Sequence, residues 1–468
     1  MEAHPQSKRW LKILLLAIDV AGITATYLLA TWLRLGTVNL GHFLPNLLFV
    51  FVPFNLICLY LFDLYRVEAD SAAWKVPLQA LGAGFVSGCV IILVAYLGGA
   101  IEFSGLIGRG VLIGAQASFA IWAAAHRFWF GKWLRSLSLR SRWLVLATDD
   151  HIRALIRDLK TNSISGHFAF LTPSAEMPAL EAMGENGGTQ LSLTHLGVWS
   201  ELEQAASHNW SGVIVGAGGS LPDKVVDVLM HIRLTGVRVI DLADFYEQTW
   251  FKVPVFYLQR SWFAMSEGFH LLHNPIGLRI KRLFDAVVAA ILLLLSTPVL
   301  LLTMLAIKLE SRGPVIFKQT RVGENGRLFT VLKLRSMRTD AEKDGAQWAA
   351  VNDNRVTRVG AFIRATRIDE IPQLINVLRG DMSFIGPRPE RPEFTEMLEK
   401  EIPFFALRHL LRPGVTGWAQ VMFPYGASVE DAREKLQYDL YYIKNYSLLL
   451  DAAIVLKTVR VVLFGKGR

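Results

Sequence analysis

Residues 281–313 read KRLFDAVVAAILLLLSTPVLLLTMLAIKLESRG, and what this stretch does decides the architecture. From Leu283 to Ile307 it is apolar and exceeds the ~20 residues a helix needs to cross a bilayer. A crossing would put the chain before it and the chain after it on opposite faces. The flanks argue otherwise. Arg279, Lys281 and Arg282 precede the run, and Lys308, Arg312, Lys318 and Arg321 follow it. Clustered Lys and Arg mark the cytoplasmic side, here at both ends. Midway stands Ser296-Thr297-Pro298. A proline there removes a backbone donor and clashes with the preceding turn. Nearby hydroxyls can supply partners for the backbone groups it frees in lipid. A re-entrant helix over about 283–307, with Ser296 and Pro298 as its break, satisfies both observations. A kinked span that crosses is the alternative.

The same logic extends toward the N-terminus. Hydrophobic residues make up 52% of the 468 and charged residues only 19%, too apolar a balance for a purely soluble chain of this length. Four apolar stretches, Trp10–Leu35, Phe43–Leu64, Pro77–Ile101 and Ile107–Phe130, each reach spanning length. They predict four transmembrane helices within residues 1–135. Lys8, Arg9 and Lys12 stand before or at the start of the first, and Arg127, Lys132, Arg135, Arg140 and Arg142 at the end of the fourth or beyond it, which places both ends in the cytoplasm. No small-residue cleavage site follows the first run, so it reads as a span and not a cleaved signal. Asp19 within it is expected to pair helices. Cys58 and Cys89 fall inside apolar runs and are expected as buried thiols, with no disulfide framework or zinc spacing. A net charge of +9 fits anionic lipid or phosphorylated substrates. Nucleic acid is disfavoured, because the aromatics sit in apolar runs and not among the basic residues.

From Ser141 to Phe263 short apolar runs (WLVLAT, FAFLTP, GVIVGA, VRVIDLA) alternate with helical patterns over Asp150–Lys160 and Asp223–Thr235. That alternation predicts a Rossmann-like parallel α/β domain over 141–263. A dinucleotide site would need glycines in the first strand-to-helix turn. The turn reads Ala147-Thr148-Asp149-Asp150, whose acids cap a helix but repel phosphate, and the later GAGG at Gly216–Gly219 lacks the full spacing. A structural or regulatory role is expected.

The chemistry lies beyond Pro275. In RIDEIPQLINVLRGDMSFIGPRPERPEF (367–394), Ile368, Ile371, Leu374, Ile375 and Leu378 recur at helical spacing and predict a helix over about 369–378. Pro372 is tolerated only in its first turn, which sets Asp369 and Glu370 at the N-terminal end. Neighbouring helical residues point about 100° apart, so the two acids can do separate work. One can attack an electrophile while the other binds a hard cation such as Mg²⁺, which one or two carboxylates and substrate phosphates can hold. Lys333, Arg335, Arg367, Arg379 and Arg388 are the candidate phosphate ligands, guanidinium being suited to bidentate contact. Asn325-Gly326 joins two strand-like runs and signals a hairpin. On residue types alone, phosphatase, kinase-like and transferase chemistry all stay open.

Three motifs narrow this. RGPVIFKQTRVGENGRLFTVLKLRSM, RIDEIPQLINVLRGDMSFIGPRP and RPGVTGWAQV (412–421) resemble the bacterial sugar transferase family, the monotopic phosphoglycosyl transferases, over residues 275–468. The four spans and α/β domain resemble its large form. Departures are Ser-Thr-Pro at the helix break, where the family often has Ser-Pro, and Leu334 where an aromatic is frequent. The resemblance implies an α+β catalytic domain with a re-entrant membrane helix, on the cytoplasmic face of the bacterial inner membrane. It implies transfer of a sugar-1-phosphate from a UDP-sugar to undecaprenyl phosphate, through a covalent ester on Asp369, with Mg²⁺ at Glu370. A homodimer is implied as well. Two other readings are a membrane-anchored nucleotide-sugar dehydratase, which would need a glycine-rich turn and a Tyr-x-x-x-Lys pair that this sequence lacks, and a non-catalytic membrane scaffold.

Overall fold

Helices built from the apolar N-terminal stretches come first. A computed structural model describes residues 5–36, 47–65, 75–97, 109–139, 141–162, 164–174, 191–217, 221–272, 274–341, 353–423, 426 and 428–464. The chain forms two units, divided between Phe245 and Tyr246. In the first, α1 (Pro5–Leu35), α2 (Val52–Leu61, entered through a π turn at Leu47–Phe51), α3 (Lys75–Leu97) and α4 (Arg109–Leu139) share a buried cluster. It includes Ile23, Tyr27, Val52, Leu59, Ala80, Ala83, Ala115 and Phe119. Small residues let α3 and α4 approach, since a Cβ on Gly84 would lie 2.5 Å from that of Ala120. By length and composition, α1 over Trp10–Arg34 and α3 over Lys75–Val94 qualify to cross a membrane. The second and fourth expected spans do not. The described part of the second is the short apolar helix Leu48–Leu61, and α4 is diluted by Gln116, His126 and Arg127. Residues 43–46, 66–74, 98–108 and 140 lie outside the described residues.

Asp19 is a helix-pairing residue. It accepts two hydrogen bonds from Arg127 of α4, at 2.9 and 2.7 Å, and one from the Tyr65 hydroxyl at 2.8 Å. Cys58 is buried as expected, whereas Cys89 is exposed on α3 because its position faces away from the helix cluster.

The α/β part follows as β1 (Arg142–Ala147), α5 (Asp149–Thr161), β2 (Gly166–Thr172), β3 (Leu191–Val198), α6 (Leu202–Ala206), β4 (Gly212–Gly216), α7 (Asp223–Leu234) and β5 (Val239–Asp241). All five strands run parallel in the order β3-β2-β1-β4-β5. That is five of the six strands of the classic doubly wound order. Strand β3 is a sheet edge of half-buried residues and leaves no apolar run to read from sequence. At the switch point between β1 and β4, the His151 ring bonds the Gly216 carbonyl at 2.8 Å and the Thr148 hydroxyl at 2.9 Å. Gly218 and Gly219 lie outside the described residues.

Helix α8 (Leu242–Trp250) leads into the second unit. The segment after Tyr246, with α9 (Arg260–Met265), is built into that unit and not into the α/β domain, contrary to the boundary at Phe263. Burial decides this: Lys252 pairs with Glu434 at 2.6 Å, the Val253 N–H donates to the Gln437 carbonyl, and the Trp418 indole donates to the Phe251 carbonyl.

Then come α10 (Pro275–Glu310), the antiparallel pair β6 (Ile316–Val322) and β7 (Leu328–Leu334), α11 (Arg358–Ala365), α12 (Gln373–Arg379), β8 (Ser383–Ile385), α13 (Pro392–Glu401), β9 (Gly414–Thr416), α14 (Trp418–Met422), α15 (Val429–Lys444) and α16 (Leu448–Phe464). The hairpin loop spans five residues, with Asn325 and Gly326 both at positive φ (54° and 75°).

Helix α10 is capped by Asn274, which accepts from the Gly277 N–H, and runs 36 residues with Pro298 inside. Only 11% of its most apolar window is buried, so it presents a long bare apolar surface. Ahead of Pro298, Ala289 and Leu293 pack with Val331, Leu374, Val377 and Met382. Beyond it, Leu300, Met304 and Ile307 pack with Leu334, Ile363 and Ile368. Both limbs therefore rest on the same domain. The Ser296 and Thr297 hydroxyls both bond the Leu293 carbonyl, at 3.3 and 2.7 Å, one residue short of the carbonyl that Pro298 leaves without its N–H. Back-bonding of this kind favours a bend.

Candidate active site

Helix α11 delivers the chain to the carboxylate pair through an unusual backbone step. Arg367 takes a left-handed conformation (φ 59°), rare for a residue with a Cβ. A single 3₁₀ turn, Ile368–Glu370, follows, and α12 begins only at Gln373. The continuous helix expected over 369–378 is thus split. Pro372 is the reason, because its ring cannot share space with the carbonyl four residues earlier in an α-helix. Asp369 and Glu370 end up on their own tight turn, 8% and 9% exposed.

Three cations converge on one oxygen of Glu370. Arg388 Nη2 donates to Oε1 at 2.6 Å, Lys333 Nζ lies at 3.6 Å and Arg367 Nη1 at 3.8 Å. Burial alone would raise the Glu370 pKa, but Arg388, Lys333 and Arg367 outweigh it and hold the group well below the usual carboxylate range. Asp369 moves the other way, raised first by burial and then by the Glu370 charge beside it. Its Oδ1 is buried with no hydrogen-bond partner. Lys333 is lowered to about 8 by burial, against the pull of Glu370. Adjacent carboxylates with pKa values pushed apart are how a site assigns two acids separate roles.

Arg388 is held by its backbone. The segment Gly386–Glu390 follows β8, which pairs in parallel with β9. Its Gly386 N–H donates to Thr416, and the Pro387 carbonyl accepts from Gly414. The Arg388 carbonyl accepts from Arg408, the Pro389 carbonyl from Arg321, and the Glu390 carbonyl from Val322. This explains the spacing of glycines in RPGVTGW. A Cβ on Gly414 would lie 2.1 Å from the Gly386 nitrogen, and one on Gly417 2.2 Å from its carbonyl oxygen.

The donor set fits a hard cation. Among the described residues no group of three or more His, Cys, Asp or Glu could cage a metal, and Mg²⁺ needs no cage when substrate phosphates complete its shell. The unpartnered Asp369 oxygen and the ionised Glu370 are ligands of the right kind.

Comparison with known proteins agrees with this chemistry. The profile of bacterial sugar transferases matches residues 276–465. A UDP-glucose:undecaprenyl-phosphate glucose-1-phosphate transferase of Caulobacter vibrioides is 48% identical over 198 residues, 42% of this chain and 74% of that protein. The chain belongs to the bacterial sugar transferase family. It is also 53% identical over 197 residues (42% of this chain) to a UDP-N-acetylgalactosamine-undecaprenyl-phosphate N-acetylgalactosaminephosphotransferase of Aeromonas hydrophila, and the match spans about half, 47%, of that relative. The Exopolysaccharide production protein PSS of Rhizobium leguminosarum bv. phaseoli is 43% identical over 190 residues, 39% of this chain and 95% of its own length.

Within this sugar transferase domain the structure gathers Asp369, Glu370, Lys333, Arg367 and Arg388. Two expected phosphate ligands stand elsewhere. Arg335 donates to the Ser311 carbonyl and hydroxyl, both at 2.8 Å, and to the Arg312 carbonyl at 3.2 Å, so it ties β7 to the end of α10. The carbonyls at a helix C-terminus lack internal partners, and a guanidinium serves them well. Arg379 is exposed in the last turn of α12, the end away from the acids. Asn376 is a residue that sequence reading omits. Fully buried, it accepts from the Leu332 N–H and donates to the Thr330 carbonyl, fixing β7 and hence Lys333 against α12. An Asn between Ile375 and Val377 on an apolar helix was the available signal. Arg408 and Asp439 are omitted too, because nothing local in sequence joins them.

Proposed function

We propose that this protein transfers a sugar-1-phosphate from a UDP-sugar to undecaprenyl phosphate, the first step of exopolysaccharide, capsule or O-antigen assembly. An oxygen of Asp369 attacks the phosphorus that bears the sugar. The bond from that phosphorus to the bridging oxygen breaks, and UMP leaves with the electron pair. A phosphosugar ester remains on Asp369. A phosphate oxygen of undecaprenyl phosphate then attacks the same phosphorus, the bond to Asp369 breaks, and the carboxylate is restored. Splitting one displacement into two is the gain from such a nucleophile. Arg388, Lys333 and Arg367 stabilise charge spread over the transferring phosphoryl group. Mg²⁺, held by Glu370 and reached by Asp369, would add positive charge against the donor diphosphate.

The observation that carries this reading is the buried Asp369 oxygen with no partner, beside an anion neutralised by three cations. Such an oxygen is costly to leave unpaired unless a ligand uses it. The contacts of both α10 limbs with one domain support a re-entrant helix. The shared cluster of α1 to α4 supports a four-helix membrane bundle, and the Lys and Arg that flank the first and fourth apolar stretches favour a cytoplasmic catalytic unit at the inner membrane. Homodimeric assembly belongs to the same reading and is open to mass photometry.

The test is intact and peptide mass spectrometry of detergent-purified protein given Mg²⁺ and single UDP-sugars, without lipid acceptor. A sugar-phosphate adduct on the Asp369 peptide, with UMP released and both absent in Asp369→Asn, is the expected result. UMP release that persists in Asp369→Asn would remove the nucleophile assignment, and no release with any donor, with or without undecaprenyl phosphate, would remove the reaction class.

A further inference from the structure

We propose that the buried ion pair Arg408–Asp439 is a positioning device that aims Arg388 at the carboxylate pair. The inference deepens the reading above and rests on it for what Arg388 binds. Arg408 lies in the 3₁₀ turn Phe405–Leu410, 5% exposed, with its guanidinium 5.0 Å from the centre of the Phe405 ring. Its Nη2 donates to two acceptors at once, the Arg388 carbonyl and Asp439 Oδ2, each at 2.9 Å. Asp439 comes from the middle of α15 and is 2% exposed. Two elements far from the acids in sequence therefore grip the main chain of the residue that makes the shortest cation contact to Glu370.

A buried ion pair is weak evidence for stability, since removing both charges from water costs about what their attraction returns. Its value here is geometric. The Arg388 side chain is 35% exposed, so its own packing does little to fix it. Its direction is set from the backbone, where Arg321 and Val322 hold the next two carbonyls and Gly414 the one before. Glu390 Oε1 lies 3.8 Å from Arg408 Nη1 and competes for the same guanidinium. Without the Asp439 charge, Arg408 is drawn toward Glu390 and its grip on the Arg388 carbonyl loosens. Small misplacements of such groups cost rate and binding out of proportion to their size.

The experiment compares wild type, Asp439→Asn and the double variant Arg408→Met/Asp439→Leu as full chains. The double variant leaves neither partner of the pair buried without the other, which keeps the test alive if Asp439→Asn fails to fold. Amide hydrogen exchange is read at the Gly414 and Val322 N–H groups, which donate to the Pro387 and Glu390 carbonyls on either side of Arg388, and KM is measured for UDP-sugar and for undecaprenyl phosphate. The expected result is faster exchange at those two amides and a donor KM raised about tenfold, with the lipid KM unchanged; tenfold corresponds to about 1.4 kcal/mol. Wild-type exchange and wild-type donor KM, with only thermal stability altered, would make the pair a structural anchor and overturn the proposal. If the wild type turns over no UDP-sugar, the function reading fails by itself. The exchange measurement still decides whether the pair fixes Arg388.

Discussion

Arg388 Nη2 and Glu370 Oε1 meet at 2.6 Å from the two ends of one segment, Glu370 just before α12 and Arg388 just after β8. The contact closes that segment into a bracket and makes Glu370 a fixed anion. Lysine cannot reproduce it, because an ammonium is a point charge where guanidinium is a planar fork. Arg388→Lys is therefore expected to keep the fold and slow adduct formation by about 10²-fold, the range seen when one preorganised donor is lost. Single-turnover mass spectrometry reads it, and a rate within a few-fold of wild type would show that charge alone suffices.

Glu370→Gln removes the anion while keeping the size. The three cations then face Asp369 and the donor with no intervening carboxylate, and the hard-cation ligand is gone. Loss of turnover together with loss of Mg²⁺ dependence is the expected outcome in a titration of MgCl₂. Turnover that Mg²⁺ still stimulates would end the assignment of Glu370 as the metal ligand.

The same site fixes a pH dependence. Burial and the Glu370 charge push Asp369 up to about 6, so it gains a proton and stops being a nucleophile as pH falls through that value. Burial lowers Lys333 to about 8, so it loses its charge as pH rises through that value. The profile of kcat/KM, which reports the free enzyme, should fall on both sides of an interval between them. In Lys333→Arg the alkaline limb should move upward, since guanidinium stays charged. An alkaline limb that stays in place would clear Lys333 of this role.

Which parts of this site the sequence discloses follows from how local each part is. Asp369, Glu370 and Pro372 are neighbours, and proline's geometry alone places the acids ahead of the helix. Arg388 stands between two prolines, a stiff turn readable in one dimension. Lys333 and Arg335 look equivalent in sequence, two apart at the end of one strand-like run, yet only Lys333 reaches Glu370. What separates them is the end of α10, whose carbonyls capture Arg335, a demand set by tertiary packing. Arg408 and Asp439 meet across distant elements and leave no periodic trace. In the N-terminal half, hydropathy finds the helices, while β3 escapes because a half-buried edge strand leaves no continuous apolar run.

Asn376 offers a stability test away from the reacting atoms. Asn376→Leu keeps the branched shape, in a somewhat larger side chain, but leaves the Leu332 N–H and the Thr330 carbonyl without their side-chain partner. Each buried group stranded this way costs about 1–3 kcal/mol. Chemical denaturation should show a loss of about 2–6 kcal/mol for the second unit, with reduced adduct formation as Lys333 loses its register. A loss under about 0.5 kcal/mol, the range of ordinary surface changes, would mean that water replaces the side chain at little expense.

Topology gives the last prediction. If α10 re-enters, both its ends lie on one face, and Arg279→Cys and Lys308→Cys should react alike with a membrane-impermeant maleimide. The native thiols are replaced first, since Cys89 is exposed and would contribute background. In right-side-out spheroplasts neither position should label before lysis, and in inverted vesicles both should. A crossing helix predicts the opposite for one of the two. Packing favours the first result, because Ala289 ahead of Pro298 and Ile307 beyond it are both buried against one domain. No straight span can bring its two halves to a single domain on one side of the membrane. Labelling of Lys308→Cys from outside would therefore count against the re-entrant helix and, with it, against a cytoplasmic Asp369.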